Sequence, residues 1–463
     1  MSGLPASWTR ASLAMLCERI VDGSHNPPKP SATGRPMLSA RNVHSRKIHF
    51  EEMRVISEED FVQEHARTGI QPRDVLLTIV GTIGRTAVVP VDSVPFALQR
   101  SVAVLRATAC DPRYLAYNLE SPTIQTVLAD GAKGTAQKGI YLKALSQLEL
   151  DIAPFAEQKR IADKLDTVLA RVDACRERLD RVPGILSRYR ASVLAAATSG
   201  NLTKDWRETM GRAGSYANLE GWASTTIGAV IIDLRYGTSK KCDYASSGTH
   251  VLRIPNIADH GKIIHEDMKS AHFDANEAAK LALRAGDILI VRSNGSVELV
   301  GKAGLVTEHE EGMLFAGYLM RLRMNQELIL PAFARICLAS PEQRQRIELT
   351  SRSTSGVNNI NSDEVRALPL LLPPLDEQVE IAGRVEKLFA FADRVEARIE
   401  QARLSVVRLS PAILAKAFRG ELVPQDPSDE PAADLLKRLE KQSLGEGKAT
   451  KRARAKRAES VAV

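Results

Sequence analysis

Pro154-Phe155-Ala156-Glu157-Gln158 returns later in the chain as Pro374-Leu375-Asp376-Glu377-Gln378, and Ser199-Gly200-Asn201-Leu202 returns as Arg419-Gly420-Glu421-Leu422. The two returns share one offset, 377 − 157 = 220 and 420 − 200 = 220, so the block between them repeats without a gap. Scattered identities run through it, among them Ile161/Ile381, Ala162/Ala382, Asp173/Asp393 and Leu194/Leu414. A repeat at fixed offset sets the architecture before any local reading.

What repeats is a helix with a narrow apolar seam. In the first copy Ile161, Leu165, Val168, Val172, Cys175, Leu179, Val182, Leu186, Tyr189 and Val193 step alternately by four and three. In the second, Ile381, Val385, Leu388, Ala392, Val395, Ile399, Ala402, Val406, Leu409 and Ile413 do the same. That step is the a/d pattern of a left-handed coiled coil. An ordinary amphipathic core helix would carry a wider stripe. Two matched helices in one chain can pair, and Ile161, Leu165, Val168, Val172, Leu179, Ile381, Val385, Leu388, Val395 and Ile399 are the expected pairing residues. Pro183 and Pro411 predict a kink or break in each copy, because proline removes a helical hydrogen bond.

Working outward, residues 1–153 form a first unit with short strand-like runs at 54–56, 75–80, 86–89 and 101–105, then a helix predicted from Pro112 to Leu128. The first repeat helix occupies 154–203. Residues 204–222 are polar and glycine-bearing and read as a linker. Residues 223–373 form a second unit, with runs at 251–254, 287–291 and 319–322 and a helix predicted from Pro331 to Leu349. The second repeat helix occupies 374–422. Pro424, Pro427 and Pro431 then open a tail over 423–463, Pro-rich, then basic and partly disordered, with a short helix over Ala432–Leu439. The units are distant relatives: Gly23 and Asn42 match Gly237 and Asn256 at a common offset of 237 − 23 = 214. The plan is unit–helix–unit–helix, of class α+β.

The chain of 463 residues has a net charge of +7, and residues 448–463 hold six Lys/Arg and one Glu, leaving 7 − 5 = +2 for the rest. An acidic partner is expected, nucleic acid first, with a local footprint on the folded part. No apolar run approaches the ~20 residues a membrane span needs, and no secretory signal is recognised. The five cysteines are far apart without a Cys-x-x-Cys pair, which leaves zinc-site spacing and a disulfide framework both unsupported and makes a reducing cytoplasm the simplest compartment.

Catalytic motifs are few. Gly295 to Ala303 has five residues between its glycines where a phosphate loop needs four, and alanine where a magnesium-binding hydroxyl is required. The polar segments are more informative. Ser39, Arg41 and Asn42 face Arg253 and Asn256 in the repeat; arginine can bond guanine and asparagine adenine with two hydrogen bonds each. Lys133, Thr135, Gln137, Lys138 and Tyr141 face Arg352, Ser353, Thr354, Asn358 and Asn359. With Arg292 and Asn294 these are the candidate DNA-binding residues, rich in donors and poor in carboxylates. The tail from Lys448 to Arg457 is a candidate for sequence-independent phosphate binding.

Leu370-Leu371-Leu372-Pro373-Pro374-Leu375-Asp376-Glu377-Gln378, preceded by Val357-Asn358-Asn359-Ile360-Asn361, resembles the junction between a target-recognition domain and its conserved helix in the specificity subunits of type I restriction–modification enzymes. Ala417-Phe418-Arg419-Gly420-Glu421-Leu422 is similar to that family's helix exit, and Gly286-Asp287-Ile288-Leu289 to its recurrent strand. The resemblance covers roughly residues 10 to 440. The first unit departs from it, with Asp151-Ile152-Ala153-Pro154-Phe155-Ala156 in place of the Pro-Pro-Leu form. The resemblance implies two target-recognition domains separated by an antiparallel coiled coil, each domain reading one half of a bipartite site in double-stranded DNA. It implies no catalysis and no bound cofactor in this chain, two methyltransferase subunits using S-adenosylmethionine, and two motor-nuclease subunits using ATP and Mg2+. A stand-alone DNA-modifying or DNA-cleaving enzyme is the alternative, opposed by the missing Asn/Asp-Pro-Pro-Tyr/Phe motif. A coiled-coil scaffold without DNA specificity is another, and it leaves the two diverged units unexplained.

Overall fold

In the computed structural model, which describes residues 3–133, 138–212, 221–244, 247–351, 356–439 and 441, the two repeat helices are continuous: α1 spans Phe155–Thr198 and α2 spans Leu375–Ala417. The chain stays helical through Pro183 and Pro411. Both prolines are exposed, so water can take the carbonyl each leaves unpaired four residues earlier. Two compact units divide the chain, one of residues 1–179 and 401–463, the other of Asp180–Glu400. Each helix is thus shared, rather than ending where a unit ends.

Each unit is built on a four-stranded antiparallel sheet with the same strand order. In the first, Cys17–Asp22 pairs with Val102–Ala107, then Val75–Thr78, then Thr86–Val88. In the second, Ile231–Tyr236 pairs with Leu319–Met324, then Ile288–Val291, then Ala303–Leu305. The strand side chains alternate between faces. Val75, Leu77, Ala103 and Leu105 join one core, while Leu76, Val102 and Val104 join another. The repeat behaves alike: Ile288, Ile290, Met320 and Leu322 on one face, Leu289, Val291 and Leu319 on the other. A smaller sheet also recurs, with Arg35–Leu38 between Arg54–Ile56 and Ala97–Leu98, and Thr249–Leu252 between Lys269–Ala271 and Leu314–Phe315. Gly23 and Gly237 sit where backbone segments cross closely: a Cβ on Gly23 would lie 2.1 Å from the Leu98 carbonyl oxygen, and one on Gly237 2.3 Å from that of Phe315.

The helix predicted over Pro112–Leu128 is two, Pro112–Leu119 and Pro122–Gly131. That over Pro331–Leu349 is also two, Pro331–Ala339 and Pro341–Ser351. Pro122 and Pro341 each bias the preceding residue, Ser121 and Ser340, out of helical geometry.

The helices run antiparallel. In the first unit Ile161, Leu165 and Leu169 near the start of α1 share a core with Leu414, Ala417 and Phe418 at the end of α2. In the second, Val193, Leu194 and Ala197 at the end of α1 share a core with Ile381, Val385 and Phe389 near the start of α2. The seam is tightest at these ends. Val172 is buried and Val168, Leu179, Leu388, Val395 and Ile399 are half-buried, whereas Cys175 and Leu409 are exposed, against the seam pattern.

The start of each helix is clamped by the segment that follows the other helix. Glu157, buried, accepts from Trp8 Nε1 at 3.1 Å and from Gln425 Nε2 at 2.6 Å. Glu377, also buried, accepts from Trp222 Nε1 at 2.9 Å, from Thr203 Oγ1 at 2.7 Å and from Arg207. The neighbouring Gln158 and Gln378 cap other helices, accepting from the backbone of Asp111 at 2.9 Å and of Leu330 at 2.7 Å. After Leu422 the proline-bearing stretch leads into a helix over Ala432–Leu439, where a short helix is expected. Ala432 and Leu436 are buried in the first unit's core, and the Ala432 backbone N–H donates to the Ser7 carbonyl at 3.0 Å. Ser7 Oγ also reaches Gln425 at 3.3 Å, and Pro5 packs over Gly420. The basic stretch 448–463 lies outside the described residues.

Candidate nucleic-acid interface

Asn42 and Asn256 end the first polar segment of each unit, and their side chains do the same work. Asn42 Oδ1 accepts from the Ser39 backbone at 3.0 Å, and Nδ2 donates to the carbonyls of His49 at 3.0 Å and Glu51 at 3.2 Å. Asn256 Oδ1 accepts from the Arg253 backbone at 2.9 Å, and Nδ2 donates to Ile264 at 3.1 Å and Glu266 at 2.9 Å. Both are buried. Their expected role as adenine readers is corrected: every strong donor and acceptor of these amides is taken up in closing the base of a hairpin.

The residues beside them face outward. Arg41 is exposed and Ser39 half-buried on the rim of a cleft of about 810 Å³, with Met53, Arg54, Thr82, Gln99 and Ser101 among its lining. Arg253 stands at the repeat position of Ser39, 253 − 39 = 214, and is less free than Arg41. Its Nη2 lies 2.7 Å from Asp267 Oδ2, and hydrogen bonds from Tyr244 and Arg253 hold the Asp267 carboxyl below its usual range.

The second polar segment pairs with the loop that follows Val75–Thr78 in the first unit and Ile288–Val291 in the second. In the first unit the Gly81 backbone donates to the Lys138 carbonyl at 3.1 Å, and Gly139 bridges both Val80 and Lys133. Lys133, Lys138 and Tyr141 are exposed there. In the second unit Ser293–Asn294 pairs antiparallel with Asn358–Asn359. This pairing brings together Arg292, Asn294, Asn358 and Asn359. The Arg292 guanidinium lies 4.4 Å from the centre of the Tyr236 ring and 3.3 Å from Asn359 Oδ1. Asn358 Nδ2 donates to the Gly295 carbonyl at 2.9 Å, and Asn294 Oδ1 accepts from the Ser296 backbone at 2.8 Å. Thr135 and Gln137, and Arg352, Ser353 and Thr354, lie outside the described residues.

Sequence reasoning missed the aromatic part of this face. Tyr236, Tyr244 and Tyr318 are 39%, 64% and 64% exposed in the second unit. Gln99 and Arg54 were missed as well; the small sheet, which pairs Arg35–Leu38 with both Arg54–Ile56 and Ala97–Leu98, brings them to one cleft with Arg41. Among the described residues no group of three or more His, Cys, Asp or Glu side chains is placed to hold a metal ion, and no helix is long and apolar enough to cross a membrane.

The family described as "Type I restriction modification DNA specificity domain" matches residues 36–183. The specificity subunit of the type I restriction enzyme StySPI from Salmonella potsdam is 32% identical over 91% of this chain and 91% of its own length. This chain belongs to the type I restriction enzyme specificity subunits. Another specificity subunit, that of EcoKI from Escherichia coli K12, is 30% identical over 89% of both chains. The fold of the family is shared with the HsdS subunit from Thermoanaerobacter tengcongensis, at a TM-score of 0.56 and 19% identity over 91% of this chain and 99% of that one. A chain from a structural study of complex assembly and conformational transition of the type I R-M system gives 0.63 and 19%, over 91% and 100%. As a specificity subunit, the chain has the function of recognising DNA sequence within a restriction–modification system.

Proposed function

We propose that each unit of this specificity subunit reads one half of a bipartite site in double-stranded DNA, that α1 and α2 set the spacing between the halves, and that the helices dock two methyltransferase subunits. Two motor-nuclease subunits complete the assembly. S-adenosylmethionine, ATP and Mg2+ act on those partners, and this cytoplasmic chain supplies address rather than catalysis. The observation that carries the reading is the duplicated loop: Asn42 and Asn256 close the same hairpin in two units whose outward polar residues differ. A shared scaffold with unlike outward side chains is what two readers of unlike half-sites need, because base edges discriminate only through the groups presented to them. Exposed tyrosines and Arg292 add stacking and donor groups to that face. Mapping methylated adenines in the host genome tests it. A two-part motif is expected, and exchanging 223–373 for the matching unit of a relative should change one half only; a swap that alters both halves in a folded hybrid would refute independent reading.

A further inference from the structure

We propose that Asp173 and Asp393 are positioning residues for DNA reading, each anchoring the tip of a reading-loop hairpin to a long helix. The proposal rests on the assignment of DNA reading to these loops. The two aspartates stand at one position of the repeat, 393 − 173 = 220. In the first unit the hairpin pairs Val43–His44 with Lys47–Ile48, and its tip is Ser45–Arg46. Both tip residues have left-handed backbone, φ 52° and 59°, where such turns usually carry asparagine and glycine. Arg46 makes an ion pair with Asp173 of α1 and lies 3.7 Å from Glu120. In the second unit Ile257 bridges Ile263, and the tip holds His260 at φ 63°. Lys262 Nζ lies 2.7 Å from Asp393 Oδ2 of α2, and the His260 ring meets Phe389 edge-on at 5.8 Å. Arg190 of α1 holds the other Asp393 oxygen at 2.8 Å.

The cation differs between the units, the helix position that receives it does not. Each hairpin is therefore closed at its base by an asparagine and pinned at its tip by an aspartate. Arg41 and Arg253 lie just before those asparagines, so the segment that carries each is ordered with its hairpin before DNA arrives, which reduces what binding must order.

The test uses the complete complex with its methyltransferase subunits and the mapped site. Asp173→Asn and Arg46→Gln should each lower the preference for the site over duplexes altered in one half by about threefold, the scale of a partly exposed ion pair. Asp393→Asn and Lys262→Gln should do so for the other half only. Arg46→Lys, which keeps the charge, should retain the parent preference. The urea midpoint of the Arg46 and Lys262 variants should match the parent, and so should the slope of log Kd against log salt, since the tether contacts no phosphate. Asp393→Asn also takes a partner from the buried Arg190, so Lys262→Gln is the deciding variant in the second unit. Unchanged preferences, equal losses in both halves, or a loss that follows the urea midpoint would overturn the tether while the parent still reads a two-part site. A parent that distinguishes no two-part site overturns the underlying assignment, and shows it before any variant is made.

Discussion

The indole of Trp222 donates a hydrogen bond at 2.9 Å to the buried carboxylate of Glu377, the third residue of α2. The same carboxylate receives Thr203 and the buried Arg207 from the segment after α1. Glu377→Ala would leave the Arg207 charge without its acid. Losing one member of a buried pair costs about 3–5 kcal/mol, so urea denaturation should show a loss of that order. A loss below about 1 kcal/mol, the scale of an exposed pair, would mean the clamp is dispensable.

Glu157, the repeat mate, has neutral hydrogen-bond donors. Burial raises its pKa, against the opposing hydrogen bonds from Gln425 and Trp8. A carboxyl with a raised folded pKa binds its proton more tightly when folded. Its contribution to stability is fully present below the unfolded pKa and is lost as pH rises through the folded one. Wild type should therefore lose stability relative to Glu157→Gln on going from about pH 4 to pH 7. Parallel unfolding curves at the two pH values would contradict the shift.

Asn42→Ala and Asn256→Ala should weaken DNA discrimination without removing a base contact. Each leaves two carbonyls and a backbone donor without their partner, at about 1–3 kcal/mol per buried unsatisfied group. Hydrogen exchange should accelerate in the affected hairpin alone. Unaltered exchange with altered specificity would return these residues to the role of direct readers.

These two asparagines show where the sequence was readable and where it was not. The offset of 214 residues marked Asn42 and Asn256 as equivalent. Residue type then suggested adenine, because nothing local shows that the carbonyls of His49 and Glu51 curl back beneath Asn42. The long helices were legible because their signal is periodic and repeated. What packs against them was not, since the partners of Leu165 in the core come from segments as distant in sequence as Ala11 and Phe418. Asp173 and Asp393 were visible as a repeated identity, but their partners Arg46 and Lys262 do not align, so pairing could not be inferred. Phe418 was assigned to a helix exit; it packs edge-on against Tyr114 at 5.2 Å in the first unit's core.

Arg292→Ala should relax reading of the second unit's half-site by about 1–3 kcal/mol, the value of a good bidentate base contact. Arg253→Ala should have a smaller effect, because Asp267 already holds that guanidinium. Competition binding with duplexes altered base by base separates the two. Equal effects would mean that Arg253 leaves Asp267 on binding.

Four residues inserted after Asp180 and four after Glu400 should lengthen both helices by about 6 Å. Those points lie at the division between the two units. Four residues form a stutter, which unwinds a coiled coil locally and preserves its seam. DNA advances about 3.4 Å per base pair, so the preferred spacer should grow by about one or two base pairs with both halves retained. An unchanged spacer in a folded, active complex would show that the helices do not set the distance.

The bond from Ala432 to Ser7 has a topological consequence. Two junctions join a helix exit to the start of a recognition unit. A continuous peptide makes the one after α1, and hydrogen bonds make the one after α2. The covalent junction and the hydrogen-bonded one therefore do the same job, each holding a helix exit beside the start of a recognition unit. Sealing Leu439 to the N-terminal segment and opening the chain between Arg212 and Trp222 would exchange which unit is translated first, yet specify the same folded object and the same DNA address.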